Sequence, residues 1–318
     1  MDVNDSLEKK LEDAQIRIEE LEGALIEQKL FLYDIASKFI PRKILRLLDK
    51  SSLEDLKLGE STNKEMTVLF SDIRGFTTIS ESMSSEKVFK FLNFYFKNMV
   101  PYIDKNHGFV DKFIGDAIMA LFPESAEDAL KAAITMKKVI KKINKHNSYF
   151  EKNPINAGTG LHHGLLTLGL IGWTTRIEST AIGDTVNLAS RIENATKMYN
   201  VNIIISDTVK KELPQINNYH FREIDTVRVK GKDNFIVLYE VYDADEEEIF
   251  SAKKESQGHF QKAIDLFKAG SFAQSLELFN DIQSLSPKDP IVPIYQKRLH
   301  TLVRIPPGPG WTGVSGII

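Results

Sequence analysis

The first forty residues place apolar side chains on a seven-residue period. Leu7, Leu11, Ala14, Ile18, Leu21, Leu25, Gln28, Leu32, Ile35 and Phe39 follow one another at spacings of four and three, with Glu, Lys, Gln and Arg between them. This narrow, sustained stripe predicts a coiled-coil seam, with Gln28 as a polar seam residue able to fix register or strand number. The plainer reading is an amphipathic helix packed on its own domain. A continuous helix here would extend on the order of 50–60 Å at about 1.5 Å per residue, more than a core helix needs. Pro41 ends or kinks it. Residues 42–60 read as a short helix and a polar linker, with Gly59 before the first strand.

From 61 to 245 the pattern changes to short apolar runs alternating with helical spacing. Strands are expected at Met66–Ser71, Phe109–Ile114, Ala117–Phe122, Ile155–Leu161, Leu165–Ile171, Val201–Ile205, His220–Val229 and Phe235–Val241. Helices are expected at Ser84–Asn106, Ala126–Ser148, Thr185–Tyr199 and Asp207–Leu213. Gly115-Asp116 is a hairpin signal, and His162-His163-Gly164 reads as a turn. The order βαββαββαβαββ predicts an α+β fold, a mixed sheet with helices packed on it. Asp243–Glu248 is an acidic break and reads as a linker. Beyond it, Phe260, Ile264 and Phe267 line one helix and Phe272, Leu276, Phe279 and Ile282 a second, with Gly270 between them and a third helix near Pro290. The Gly270, Phe272, Phe279 and Pro287 spacing resembles one tetratricopeptide-type hairpin. A lone repeat cannot bury both faces, so it should pack on the catalytic domain, a dimer mate or a protein partner. The expected domains are therefore 1–45, 46–245, 246–304, and a Pro/Gly-rich irregular tail, 305–318.

Composition narrows the chemistry. The chain has 318 residues, a hydrophobic fraction of 42% and a net charge of −3, an ordinary globular balance with no support for nucleic-acid binding. It contains no cysteine, which excludes disulfides, thiolate metal sites and cysteine nucleophiles. No apolar run approaches the roughly 20 residues that span a bilayer, and the charged N-terminus is not a signal peptide. The expectation is a cytoplasmic protein without a membrane segment in this chain.

Neither a P-loop, a Gly-x-Ser-x-Gly elbow nor a His-Glu-x-x-His helix occurs in the sequence. His162 and His163 are strand neighbours facing opposite ways, poor ligands for one metal. What remains is carboxylates, amides and cations. Val68-Leu69-Phe70-Ser71-Asp72-Ile73-Arg74-Gly75-Phe76-Thr77 is a strand ending on an acid beside a glycine, and Phe109–Phe122 repeats the device at Gly115-Asp116. Two such acids suggest a site for one or two hard divalent cations. In Thr180–Glu193, Asn187 and Arg191 are i and i+4 on one helical face. Such a pair can grip a ribose oxygen and a phosphate, or can simply be a surface hydrogen-bonding pair.

These segments, in this order and with Val229–Lys232, resemble the class III nucleotidyl cyclases, the adenylate and guanylate cyclase family. The resemblance covers about residues 61–245 and extends weakly into Phe39-Ile40-Pro41. It implies a ferredoxin-like palm sandwich, here preceded by the coiled-coil helix and followed by a small all-α segment. It implies a head-to-tail homodimer with sites at the interface, tethered further by a parallel coiled coil. It implies that Asp72 and Asp116, with the carbonyl of Ile73, hold two divalent cations, Mg²⁺ or Mn²⁺. Lys112 and Thr180 would read the base, Asn187 would orient the ribose, Arg191 would stabilise the transition state and Lys230 would contact the terminal phosphates. In that arrangement the metal pair of one site comes from one chain and the other residues from its mate.

The base can be argued from donors and acceptors. Adenine presents an acceptor at N1 and a donor at its 6-amino group, which suit a lysine and a threonine hydroxyl. Guanine reverses the pattern and would favour an acid at position 112. The expected activity is therefore adenylate cyclase, ATP to 3′,5′-cyclic AMP and pyrophosphate. A guanylate or dual-specificity cyclase, or a non-catalytic dimerising scaffold, are the competing readings.

Overall fold

The computed structural model describes residues 2–146, 154–173, 175–214, 216–229, 235–308, 310–314 and 316–318. They form two compact units, Met1–Glu60 with Leu170–Ser179, and Ser61–Gly169 with Thr180–Ile318. In the first unit the heptad region is one helix, α1 (Asp2–Ser37), and Pro41 stands at the N-cap of α2 (Arg42–Leu47). Leu7, Leu11, Ile18, Leu21, Leu25 and Leu32 are each 55–69% exposed, so the apolar stripe of α1 is left open. Tyr33 Oη accepts from the Leu53 N–H at 3.1 Å, and Lys50 donates to Glu60 at 2.8 Å.

From Ser61 onward the chain runs β1 (Ser61–Ile73), α3 (Phe76–Glu81), α4 (Ser85–Lys105), β2 (Phe109–Ile114), β3 (Ala117–Phe122), α5 (Ala126–His146), β4 (Ala157–Trp173) and β5 (Arg176–Ile182). It continues through α6 (Asp184–Tyr199), β6 (Ile203–Ser206), α7 (Asp207–Lys211), β7 (Phe221–Arg228) and β8 (Phe235–Val241). Three helices follow, α8 (Glu247–Lys268), α9 (Phe272–Leu285) and α10 (Ile291–Arg304), then a short β9 (Gly316–Ile317). The strands form a single mixed sheet in the order β2-β3-β1-β4-β6-β8-β7-β9, with β5 paired to β4. Its β1-α4-β2-β3-α5-β4 portion, with β1 antiparallel to both β3 and β4, is the ferredoxin-like arrangement.

Residue spacing explains the layers. Phe91, Tyr95, Met99 and Ile103 recur every four residues on α4 and are buried. With Ala129, Ala132 and Ala133 of α5 they cover Leu69, Ile118, Ala120 and Phe122 of the sheet; the alanines let α5 approach closely. A second cluster joins Ile192 and Ala195 of α6, Ile204, Ile224 and Leu238 of the sheet, and Phe260, Ile264, Phe267, Phe279 and Tyr295 of the last three helices. The C-terminal helices thus share a core with the sheet.

Several features depart from the sequence reading. His162-His163-Gly164 is not a turn: β4 is one 17-residue strand, paired with β1 without interruption from Ala157 to Gly169. The two imidazoles are satisfied on different partners, His162 Nδ1 with Ser206 Oγ at 2.8 Å and His163 Nδ1 with Thr67 Oγ1 at 3.0 Å, so nothing forces the chain to bend. Strand β5 and helix α3 were not anticipated. The acidic stretch 243–248 is not a loose linker: Asp243 accepts from the His220 N–H at 2.8 Å, Lys253 donates to Asp245 at 2.6 Å, and α8 starts at Glu247. In the tail, Trp311 Nε1 donates to the Phe267 carbonyl at 3.1 Å and β9 runs parallel to β7. Among the described residues no helix is long and apolar enough to cross a membrane.

Candidate active site

The site begins where β1 ends. Asp72 follows a buried run from Met66 to Ser71, so the strand carries its carboxylate to the sheet margin. Gly115, at φ +64°, makes the β2–β3 turn that presents Asp116; a side chain there would be strained in this left-handed conformation. Asp116 Oδ2 accepts from the Ile73 N–H at 3.2 Å. Burial, then a shared hydrogen bond and like charge from Asp72, push the Asp116 carboxyl up to about 6. Two neighbouring carboxylates make an oxygen-only donor set suited to a hard divalent cation.

Helix α6 closes over this margin because β4 carries glycines, Gly158 and Gly160, beneath it. A Cβ on Gly160 would come within 2.2 Å of the Glu193 backbone nitrogen. The resulting contact brings α6 residues to Asp72. Lys197 Nζ donates to Asp72 Oδ2 at 2.6 Å and lies 3.8 Å from Glu193 Oε1. Burial works against the charge on Lys197, but the hydrogen bond to Asp72 and the field of Glu193 outweigh it and raise its pKa. Glu193 is itself buried, and its Oε1 has no hydrogen-bond partner among the described residues. Burial is the main reason its carboxyl rises to about 7; Lys197 opposes the rise and Asp72 adds to it. Arg74, two residues past Asp72, donates to Asn200 Oδ1 at 2.9 Å, to the Thr196 carbonyl at 3.0 Å and to the Val201 carbonyl. It thereby satisfies the end of α6, where carbonyls lack helical partners.

The expected residues fall into groups. Asp72, Ile73 and Asp116 meet. Lys112 on β2 and Thr180 on β5 also meet, with Nζ donating to Oγ1 at 2.8 Å; a register shift between Val110 and Lys112 leaves Asp111 as an extra residue just before the lysine. Asn187 is exposed on α6. Arg191, one turn further, donates to the main-chain oxygen of Ile318 at 3.2 Å. Lys230 lies outside the described residues. Lys197, Glu193 and Arg74 were missed. The only trace of the first two is their i, i+4 spacing, which does not reveal Asp72 as a partner.

Residues 59–241 match the model of the adenylate and guanylate cyclase catalytic domain. An adenylate cyclase of Anabaena cylindrica is 43% identical over 214 residues, covering 65% of this chain and 43% of that protein. The terminal-differentiation-specific adenylate cyclase of Dictyostelium discoideum is 36% identical over 273 residues, 84% of this chain and 13% of that protein. The chain thus spans less than half the length of either relative. Among solved structures, an adenylyl cyclase from P. aeruginosa superposes with a TM-score of 0.50 at 31% identity, over 57% of this chain and 95% of that one. The domain match, over more than half of the sequence and containing both strand-end aspartates and helix α6, shows that the chain belongs to the adenylate and guanylate cyclase catalytic-domain family.

Proposed function

We propose that the protein is an adenylate cyclase, forming 3′,5′-cyclic AMP and pyrophosphate from ATP. The observation that carries the base choice is the 2.8 Å hydrogen bond between Lys112 and Thr180. It sets a donor and a hydroxyl acceptor side by side, the pattern that suits the acceptor at adenine N1 and the donor at its 6-amino group. In a buried site, guanine would leave such groups mismatched and unpaired.

Asp72, Asp116 and the Ile73 carbonyl are the residues for two divalent cations, Mg²⁺ or Mn²⁺, which supply Lewis acidity toward the ribose 3′-hydroxyl and the polyphosphate. In the reaction the 3′-oxygen forms a bond to the α-phosphorus, the bond from that phosphorus to the bridging oxygen breaks, and the hydroxyl proton passes to solvent. Asn187 orients the ribose. Arg191 neutralises charge on the α-phosphate, a contact worth roughly 3–4 kcal/mol in comparable sites. Lys230 reaches the terminal phosphates. We assign Lys112, Thr180, Asn187, Arg191 and Lys230 to the chain opposite the one that supplies the aspartates, in a head-to-tail homodimer. The open apolar stripe of α1 supports a parallel coiled coil between the two chains, formed within 1–45. The absence of cysteine and the choice of ATP support a cytoplasmic enzyme.

The test is purified protein with Mn²⁺ and equimolar ATP and GTP. Cyclic AMP as the dominant product supports the reading. Cyclic GTP-derived product in equal or larger amount, or no cyclic nucleotide at all, overturns it.

A further inference from the structure

Lys197 has two acceptors within reach. Its ammonium is 2.6 Å from Asp72 Oδ2 and 3.8 Å from Glu193 Oε1. Glu193 is one turn back on the same helix, 4% exposed, and that oxygen has no hydrogen-bond partner among the described residues. Such an oxygen is costly to leave unpaired. An ammonium held on Asp72 Oδ2 offsets the carboxylate's charge and takes up acceptor capacity that a divalent cation would use. We propose that Lys197 is a positioning residue that competes with divalent cations for Asp72 and is received by Glu193 when it yields. This rests on the reading that Asp72 and Asp116 hold divalent cations.

The exchange is balanced in charge and in hydrogen bonds. With Lys197 on Asp72, the two neighbouring aspartates are partly neutralised and Glu193 is short of a donor. With Lys197 on Glu193, the buried carboxylate gains its donor and Asp72 is released. The ammonium needs only a side-chain rotation, because both acceptors already lie within 4 Å. Lys197 is partly exposed, with 43% of its side chain accessible, so it has room to move. The consequence is a threshold: cation binding must displace Lys197, and Glu193 sets how easily it leaves.

The experiment is Mn²⁺ titration of the full chain without nucleotide, followed by the loss of the free-ion paramagnetic resonance signal. K197Q should bind Mn²⁺ roughly threefold more tightly or better, and E193Q roughly threefold more weakly or worse, the range an accessible ion pair supports. A general charge effect would move both variants independently, so the double variant decides. E193Q/K197Q should bind like K197Q, because Glu193 acts only through Lys197. If E193Q does not fold, Glu193→Asp, which draws the carboxylate back by one methylene, replaces it. Unchanged or weaker binding in K197Q, or an E193Q loss that persists in full without Lys197, overturns the inference alone. Wild-type protein that takes up no Mn²⁺, or takes it up equally well as D72N, overturns the metal reading and the inference with it.

Discussion

Lys112 donates to Thr180 at 2.8 Å although the two are 68 positions apart in sequence. One comes from a bulged strand and the other from β5, so neither local propensity nor spacing joins them. In the proposed function this bond holds the ammonium and the hydroxyl ready for a purine edge. K112E should lower kcat/KM for ATP by about 10² or more and shift preference toward GTP, since an acid accepts from guanine N1–H. T180A should cost about tenfold, one neutral hydrogen bond. Product ratios from competing ATP and GTP read both effects.

Asp72 and Arg191 are predicted to serve different sites within one dimer. D72A and R191A proteins should each be nearly inactive. Mixed and allowed to exchange, half of the dimers pair unlike chains, and each such dimer holds one intact site of two. About a quarter of wild-type activity should return, as the two-fold symmetry of a homodimer requires. Subunit exchange followed by two differently labelled chains, with no recovery of activity, would remove the shared-site arrangement.

The parts of this site visible in the sequence are those encoded by local pattern. Asp72 and Asp116 each end an apolar run beside a turn glycine, and Asn187 and Arg191 share a helical face. Strands β2 and β3 coincide with their sequence boundaries because Gly115-Asp116 punctuates them. Misjudged elements had polar residues satisfied by distant partners. The imidazoles of β4 resemble a turn until Ser206 and Thr67 are placed beside them. Strand β5 was overlooked because its residues, Arg176 to Ile182, alternate weakly and contain no strong apolar run. Lys197 was invisible because its partner lies 125 residues away.

His162 should make stability fall on the acid side. Burial, reinforced by the neighbouring His163 and only partly offset by Asp207, holds its imidazole down to about 4, against 6.5 for the free side chain. Between those values the unfolded chain binds the proton and the folded chain does not. Stability from this group is therefore full above pH 6.5 and is lost as pH falls toward 4, by on the order of 3 kcal/mol. Urea midpoints measured from pH 7 to pH 4 should decline, and more shallowly in H162N, which keeps a polar group near Ser206 but does not titrate. Equal slopes in the two proteins would remove His162 as the cause.

Arg222 and Asp289 form a bidentate pair at 2.5 and 2.7 Å with both side chains almost wholly buried. Arg222 Nε also donates to Glu240, which accepts in addition from Lys253 on α8. Burial opposes ionisation of Asp289, but the Arg222 charge and its hydrogen bonds prevail and lower its pKa. The network ties β7 and β8 to the start of α8 and to the turn before α10, so the last helices are held to the sheet by charge as well as by apolar contact. Removing Asp289 strands a buried guanidinium with one of its three hydrogen bonds. D289A should lose about 3–5 kcal/mol in urea denaturation. R222M/D289L, which removes both partners and fills their volume, should recover part of that loss, because the penalty lies in the unpaired charge rather than in the absence of the pair. A D289A protein as stable as wild type would show that solvent reaches Arg222, contrary to its 2% exposure in the folded chain.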